Sequence, residues 1–205
     1  MKHYLFAFCS CLFLLTGCAQ KEFTQNAPAI EQPKDNTIKR QEITTNALKH
    51  QNKKDGGDCS GFVSLVNKES KEPYFRASEL DDFYEDSRRS LAIYNLLDNQ
   101  KRLHKEKPKI GDLVFFANTV KQYSKTKSDD NITHIGIVTK IDPDETIYFI
   151  HNTRGKNVIS QMNLNYPDTS LYNHKVVNSY MEKCAKNEGH KCLAPAYFSA
   201  FGTIK

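Results

Sequence analysis

The chain has 205 residues, 39% of them hydrophobic, with a mean hydropathy of −0.63 and a formal net charge of +5. That length holds one ordinary domain with a real core plus appendages, and the polarity excludes a protein built from membrane spans. The basic residues are scattered and no nucleic-acid motif is present, so the charge excess fits a solvated surface, or attraction to an anionic wall polymer or lipid surface, better than a nucleic-acid partner.

Met1-Lys2-His3 gives a short positive start, and residues 4–15 are almost wholly apolar. A run of that length is too short for a bilayer, which needs about 20 residues, but it suits the core of a secretory signal. The run ends in Leu15-Thr16-Gly17-Cys18, which resembles the lipobox of bacterial lipoproteins. The resemblance implies removal of residues 1–17 and a lipid on Cys18; an ordinary signal with a chance cysteine is the alternative. Residues 18–45 are rich in Gln, Asn, Thr, Lys and Pro without an apolar period, which predicts a flexible tether and a domain spanning 46–205.

Gly56-Gly57 permits a sharp turn, Asp58 is a good N-cap, and Phe62, Val63, Leu65 and Val66 fall at helical spacing, predicting a helix over 59–68. A second helix is predicted over 78–99, opened by Ser78-Glu79-Leu80-Asp81 as a capping box. The period then changes. Residues 113–116 read as a buried strand after the Gly111-Asp112 turn, and 118–131 as a polar loop. Residues 132–141 and 146–151 form a hairpin around Asp142-Pro143-Asp144-Glu145, 157–160 a short strand, and 196–204 the last strand. Helices first and strands later argue an α+β fold with an antiparallel sheet.

The candidate chemistry starts at Cys59, in the first turn of its helix, where backbone N–H groups and the helix dipole favour a thiolate and should lower its pKa. If the hairpin turn is the even loop 142–145, opposed residues sum to a constant, Gly136 faces His151, and His134 lies diagonally on the same face, about 7–8 Å away. Glycine there leaves room for the ring, and Asn152 points to the other face. The register favours His134 as base and His151 as its orienter; an odd loop or a β-bulge would break the argument. A zinc site from Cys59, His134 and His151 is the competing reading, but no fourth ligand, CxxC or HExxH is present, so no metal and no cofactor are expected. His50, His104, His174 and His190 lie in polar stretches and read as surface residues. In an exported protein, Cys184 and Cys192, with Gly189 between them for a turn, are expected to pair, two free thiols being the alternative; pairing leaves Cys59 as the odd thiol.

Three blocks, Asp58-Cys59-Ser60-Gly61-Phe62-Val63, Gly111-Asp112-Leu113-Val114-Phe115-Phe116 and His134-Ile135-Gly136-Ile137-Val138, resemble the NlpC/P60 family of papain-like cell-wall cysteine peptidases. The resemblance spans about residues 55–155, with His151 where such proteins place a third polar residue. It implies a papain-like fold in which N-terminal helices pack on an antiparallel β-sheet. It implies hydrolysis of peptidoglycan stem peptides, typically between D-glutamate and diaminopimelate. Cys59 would be nucleophile, His134 base and then acid, and His151 orienter, with Asp58 and Ser60 holding the stem peptide's free amine. The chain departs from the family pattern in keeping only Gly56-Gly57 of the segment before the cysteine, in Ile110 where a proline is usual, and in a long 67–109 region expected to shape or cover the cleft.

These readings converge on a lipid-anchored, monomeric peptidoglycan endopeptidase on the periplasmic side of the outer membrane, or on the outer face of the inner membrane. A CHAP-type N-acetylmuramoyl-L-alanine amidase, an acyltransferase and a non-catalytic wall-binding lipoprotein are the alternatives.

Overall fold

The computed structural model describes residues 36–123, 128–183 and 189–205. The expected signal 1–17, Cys18, the first part of the tether and Cys184 lie outside the described residues. Within them, the polar stretch before residue 46 is not a tether. Helix α1 runs Asn36–Lys49 and buries Arg40, Ile43, Thr44 and Ala47, the i, i+3, i+4, i+7 stripe of an amphipathic helix. Arginine and threonine occupy two positions of that stripe, which hides its period from a hydropathy reading. Arg40 is accommodated by an ion pair 2.6 Å long to Asp112, itself 1% exposed, and by further bonds to Ile110 O and Thr203 Oγ1. Buried charge is tolerated when it is paired in this way. The pair also accounts for the Gly111-Asp112 motif: Gly111 has φ +86°, and a Cβ there would press on Arg40 at 3.1 Å.

Helix α2 (Cys59–Glu69) is capped as expected, with Asp58 Oδ1 accepting from Gly61 N at 2.6 Å. The helix predicted over 78–99 is broken. Two single 3-10 turns, Ala77–Glu79 and Asp81–Phe83, precede helix α3 (Arg89–Asn99). Glu79 does close a cap, but onto Arg76 N at 2.6 Å rather than Ser78. At the break, Asp86 accepts from Arg88 N and from Arg88 Nε, both at 2.7 Å, offering the backbone a local alternative to helix.

The strands are β1 (Leu103–His104), β2 (Leu113–Ala117), β3 (Ile132–Ile141), β4 (Ile147–Thr153), β5 (Lys156–Met162), the small pair β6 (Leu171–Tyr172) and β7 (Lys175–Val176), and β8 (Phe198–Gly202). The main sheet is antiparallel, ordered β1-β8-β2-β3-β4-β5. The expected last strand is shorter than 196–204 because Pro195 seeds a 3-10 turn, Ala194–Tyr197, ahead of it. Alternation along β2 builds two cores. Leu113, Phe115 and Ala117 join Phe62, Val63 and Val66 of α2 and Ile93 and Leu97 of α3 on one face. Val114 and Phe116 join Phe149, Met162 and Phe201 on the other. Burial on both faces explains the unbroken apolar run of β2. Each fully buried large side chain contributes roughly 1.5–3 kcal/mol. The architecture is therefore α+β, with N-terminal helices on one face of an antiparallel sheet.

Candidate active site

The turn that delivers Cys59 is closely fitted. Gly56 and Gly57 have φ +87° and +79°, which favours glycine, and a Cβ on Gly56 would lie 2.5 Å from Phe62 Cα. A Cβ on Gly61 would meet Gly56 O at 2.0 Å, so the glycine that ends the Cys59-Ser60-Gly61 run lets that turn fold onto the helix. Of the first four N–H groups of α2, Asp58 satisfies two: Gly61 N through its side chain and Phe62 N through its carbonyl. The amides of Cys59 and Ser60 remain beside the sulfur, and the amide of Ile135 on β3 approaches it from the sheet. Cys59 is the free cysteine among the described residues.

The hairpin reaches the expected arrangement by a route the sequence did not indicate. Ile141 faces Ile147, not Thr146, so the turn is odd in length. A bulge at Thr139 then inserts one residue, and Ile137 faces Ile150 as the even register required. Two departures cancel, and the histidines share a face. His134 Nε2 lies 2.6 Å from His151 Nδ1, with ring planes at 89°. Gly136 sits beneath them: a Cβ there would be 3.0 Å from Ile150 O and 3.2 Å from His151 Cβ. Asn152 points elsewhere, donating to Asn157 Oδ1 at 2.8 Å and to Asp55 O at 3.3 Å, so it fastens the loop before Cys59.

Sequence reading missed Ser160 on β5, whose Oγ lies 2.9 Å from His151 Nε2. A serine on a short polar strand carries no pattern; only the pairing of β5 with β4 brings it to the ring. Two proton orders satisfy both contacts, and in the one that leaves His134 able to act as a base, His134 Nε2–H donates to His151 Nδ1, and His151 Nε2–H donates to Ser160 Oγ. Nδ1 of His134 is then the unprotonated nitrogen available to a thiol. Among the described residues no hydrogen bond yet joins Cys59 to His134; catalytic contacts of free enzymes often tighten only with substrate.

The electrostatics correct one expectation. The Cys59 thiol is not acidified: burial pushes it up to about 11, which outweighs the amides of Ile135, Ser60 and Cys59 that favour the thiolate, and the Asp58 carboxylate adds to the rise. Burial also lowers His134 to about 4 and takes His151 well below the ordinary imidazole range. Thiol and imidazole thus rest neutral.

Cys59, His134 and His151 open onto one cleft of about 510 Å³, with Asp58 and Ser60 on its wall. Ser60 Oγ donates to Asp58 Oδ1 at 2.9 Å. Arg88 and Arg89, from the 67–109 region, also line this cleft, in keeping with the part in shaping it expected of that region. Arg88 is fixed by Asp86, by Asn131 Oδ1 at 2.6 Å, and by the ring of Tyr123 at 4.8 Å. Among the described residues no group of three or more metal-ligating side chains exists, so the zinc reading gains no support. Two histidines read as surface residues are partly buried. His50 bridges Asp55 at 2.6 Å and Glu69 at 3.0 Å, and His104 lies 3.6 Å from Asp112; His174 and His190 are exposed. Cys192 is buried at the end of the 3-10 turn Gly189–Cys192. Its expected partner, Cys184, falls outside the described residues.

A model described as the NlpC/P60 family matches residues 45–176, which take in Cys59, His134 and His151. The chain belongs to this family, one of peptidoglycan-related cysteine peptidases. No curated protein and no solved structure matches it.

Proposed function

We propose that this member of the NlpC/P60 family is a lipoprotein, anchored through Cys18 at the periplasmic side of the outer membrane or the outer face of the inner membrane, that hydrolyses amide bonds of peptidoglycan stem peptides, with the D-glutamate–diaminopimelate bond as its target. The observation that carries the reading is the 2.6 Å contact between His134 and His151 at the cleft that also holds Cys59 at a helix start.

The chemistry follows from the neutral resting pair. As Cys59 Sγ attacks the scissile carbonyl, its proton passes to Nδ1 of His134, and a carbon–sulfur bond forms as the carbonyl oxygen gains charge. The amides of Cys59 and Ser60 are the helix-end donors left to stabilise that oxyanion. The imidazolium of His134 is held by His151 and gives its proton to the leaving amine as the C–N bond breaks. Water, deprotonated by His134, then releases the acyl group and restores the thiol. Asp58, exposed at the wall, suits a substrate ammonium, with Ser60 beside it.

Digestion of purified muropeptides, with products weighed by mass spectrometry, tests this. Cleavage within the stem is expected, lost in Cys59→Ala with thermal stability unchanged. Release of intact stems from glycan would instead identify the CHAP-type amidase. The raised thiol pKa favours one other reading, a wall-binding lipoprotein whose Cys59 never ionises. Under it, iodoacetamide would leave Cys59 unmodified at neutral pH even with muropeptide present.

A further inference from the structure

A second cleft of about 640 Å³ lies beside the first, and Arg89 lines both. The new cleft runs from the far half of α2 to the broken segment before α3, the part of the chain between the cysteine and the histidines that is longer than the family pattern. Lys68, Lys71 and Arg76 stand on its rim with Arg89, and Asp81 is the only carboxylate among the described residues lining it. All four cations are exposed. Neighbouring lysines are neutralised: Lys39 pairs with Glu72 at 3.3 Å and Lys205 with Glu79 at 3.0 Å. Among the described residues no carboxylate forms an ion pair with Lys68, Lys71 or Arg89. Tyr84, 40% exposed, adds a flat amphipathic ring to the same wall.

Uncompensated cations beside an exposed aromatic ring suit a ligand that carries carboxylates on an amphipathic frame. Their continuity with the catalytic cleft says where that ligand comes from. We infer that this groove binds a second, non-reacting portion of the substrate, a neighbouring stem peptide of the polymeric wall with its free carboxylates, while the reacting stem peptide occupies the cleft of Cys59. The inference rests on the reading of the substrate as peptidoglycan. It makes the protein an enzyme for the polymer rather than for short fragments: the reacting stem is held by the first cleft, and the second adds affinity only when the chain extends beyond it.

The test uses the full chain in a Cys59→Ala background, so that binding is read without turnover. Co-sedimentation with insoluble sacculi is compared between that variant and the same variant carrying Lys68→Glu and Lys71→Glu, two exposed sites whose exchange should leave the melting temperature unchanged. Retention on sacculi should fall about ten-fold, the loss should shrink as salt rises, and affinity for a soluble single-stem muropeptide should stay within about two-fold. Equal retention of the two proteins overturns the inference. So does an equal loss on the soluble muropeptide, or charge-dependent capture by anionic phosphatidylglycerol vesicles without any on sacculi, which would make the groove a membrane contact. Failure of the unmodified protein to cleave muropeptide would remove the catalytic reading alone, because the sedimentation readout does not depend on turnover.

Discussion

The β3–β4 hairpin carries two electrostatic regimes a few residues apart. At its turn, Asp142 accepts from Lys140, Lys175 and Tyr148, and Asp144 from Lys175, with both lysines and Asp144 exposed to water. The hydrogen bonds from Lys140 and Lys175 hold the Asp142 carboxyl well below the usual carboxylate range. At the other end, His134 and His151 sit in protein with each other, Ser160 and the ring of Phe149 for company, and loss of water keeps them neutral. One end has many charges and little at stake in each; the other has no resting charge, and every group's position matters. Solvent screening makes the first forgiving, and its exclusion makes the second exacting.

Substitutions along the hairpin should trace that gradient. His134→Ala should lower kcat/KM on muropeptides by about 10³-fold or more without lowering the melting temperature, because a buried base is lost from a neutral triad. A residual rate near wild type would break the comparison at its dry end. The pH profile comes next. A base must be neutral to act, so a lowered pKa extends activity toward acid: the acid limb of kcat/KM should fall near the value of about 4 held by His134, not near 6.5. Gly136→Ala places a methyl 3.0 Å from Ile150 O in the middle of the sheet. It should cost about 1–3 kcal/mol in chemical denaturation and displace His151, with up to about 10²-fold lost in kcat.

Ser160→Ala should have a smaller effect, a decrease of about ten-fold in kcat with KM unchanged, together with a moved acid limb; Ser160→Thr should restore both. A purely structural serine would move stability and leave the pH profile alone. Smallest of all, Asp142→Asn at the wet end should leave activity unaltered and the melting temperature within about 2 °C. A large loss there would show that the turn is coupled to the triad after all.

Much of the site was legible because its residues punctuate the chain. Gly56-Gly57, Asp58 and the stripe from Phe62 to Val66 mark a turn, a cap and a buried helix face, each with its own local cause. The pairing of His134 with His151 was legible only through parity, and parity survived because an odd turn and the bulge at Thr139 offset one another. Neither has a signature in the residues themselves. Helix α1 was invisible because its buried stripe includes Arg40, whose partner lies 72 positions along the chain. The break before α3 was invisible for the opposite reason: the apolar period continues through Tyr84 and Leu91, and only the bonds of Asp86 to Arg88 interrupt it. Burial also reversed the expected pKa of Cys59, since a helix start is visible in sequence and the removal of water around it is not.

Strand β8, residues Phe198–Gly202, lies between β1 and β2, inside the sheet. A chain emerging from the ribosome therefore cannot complete this sheet until residues 198–202 have been made, about 80 positions after β2, since a gap separates β1 from β2 until then.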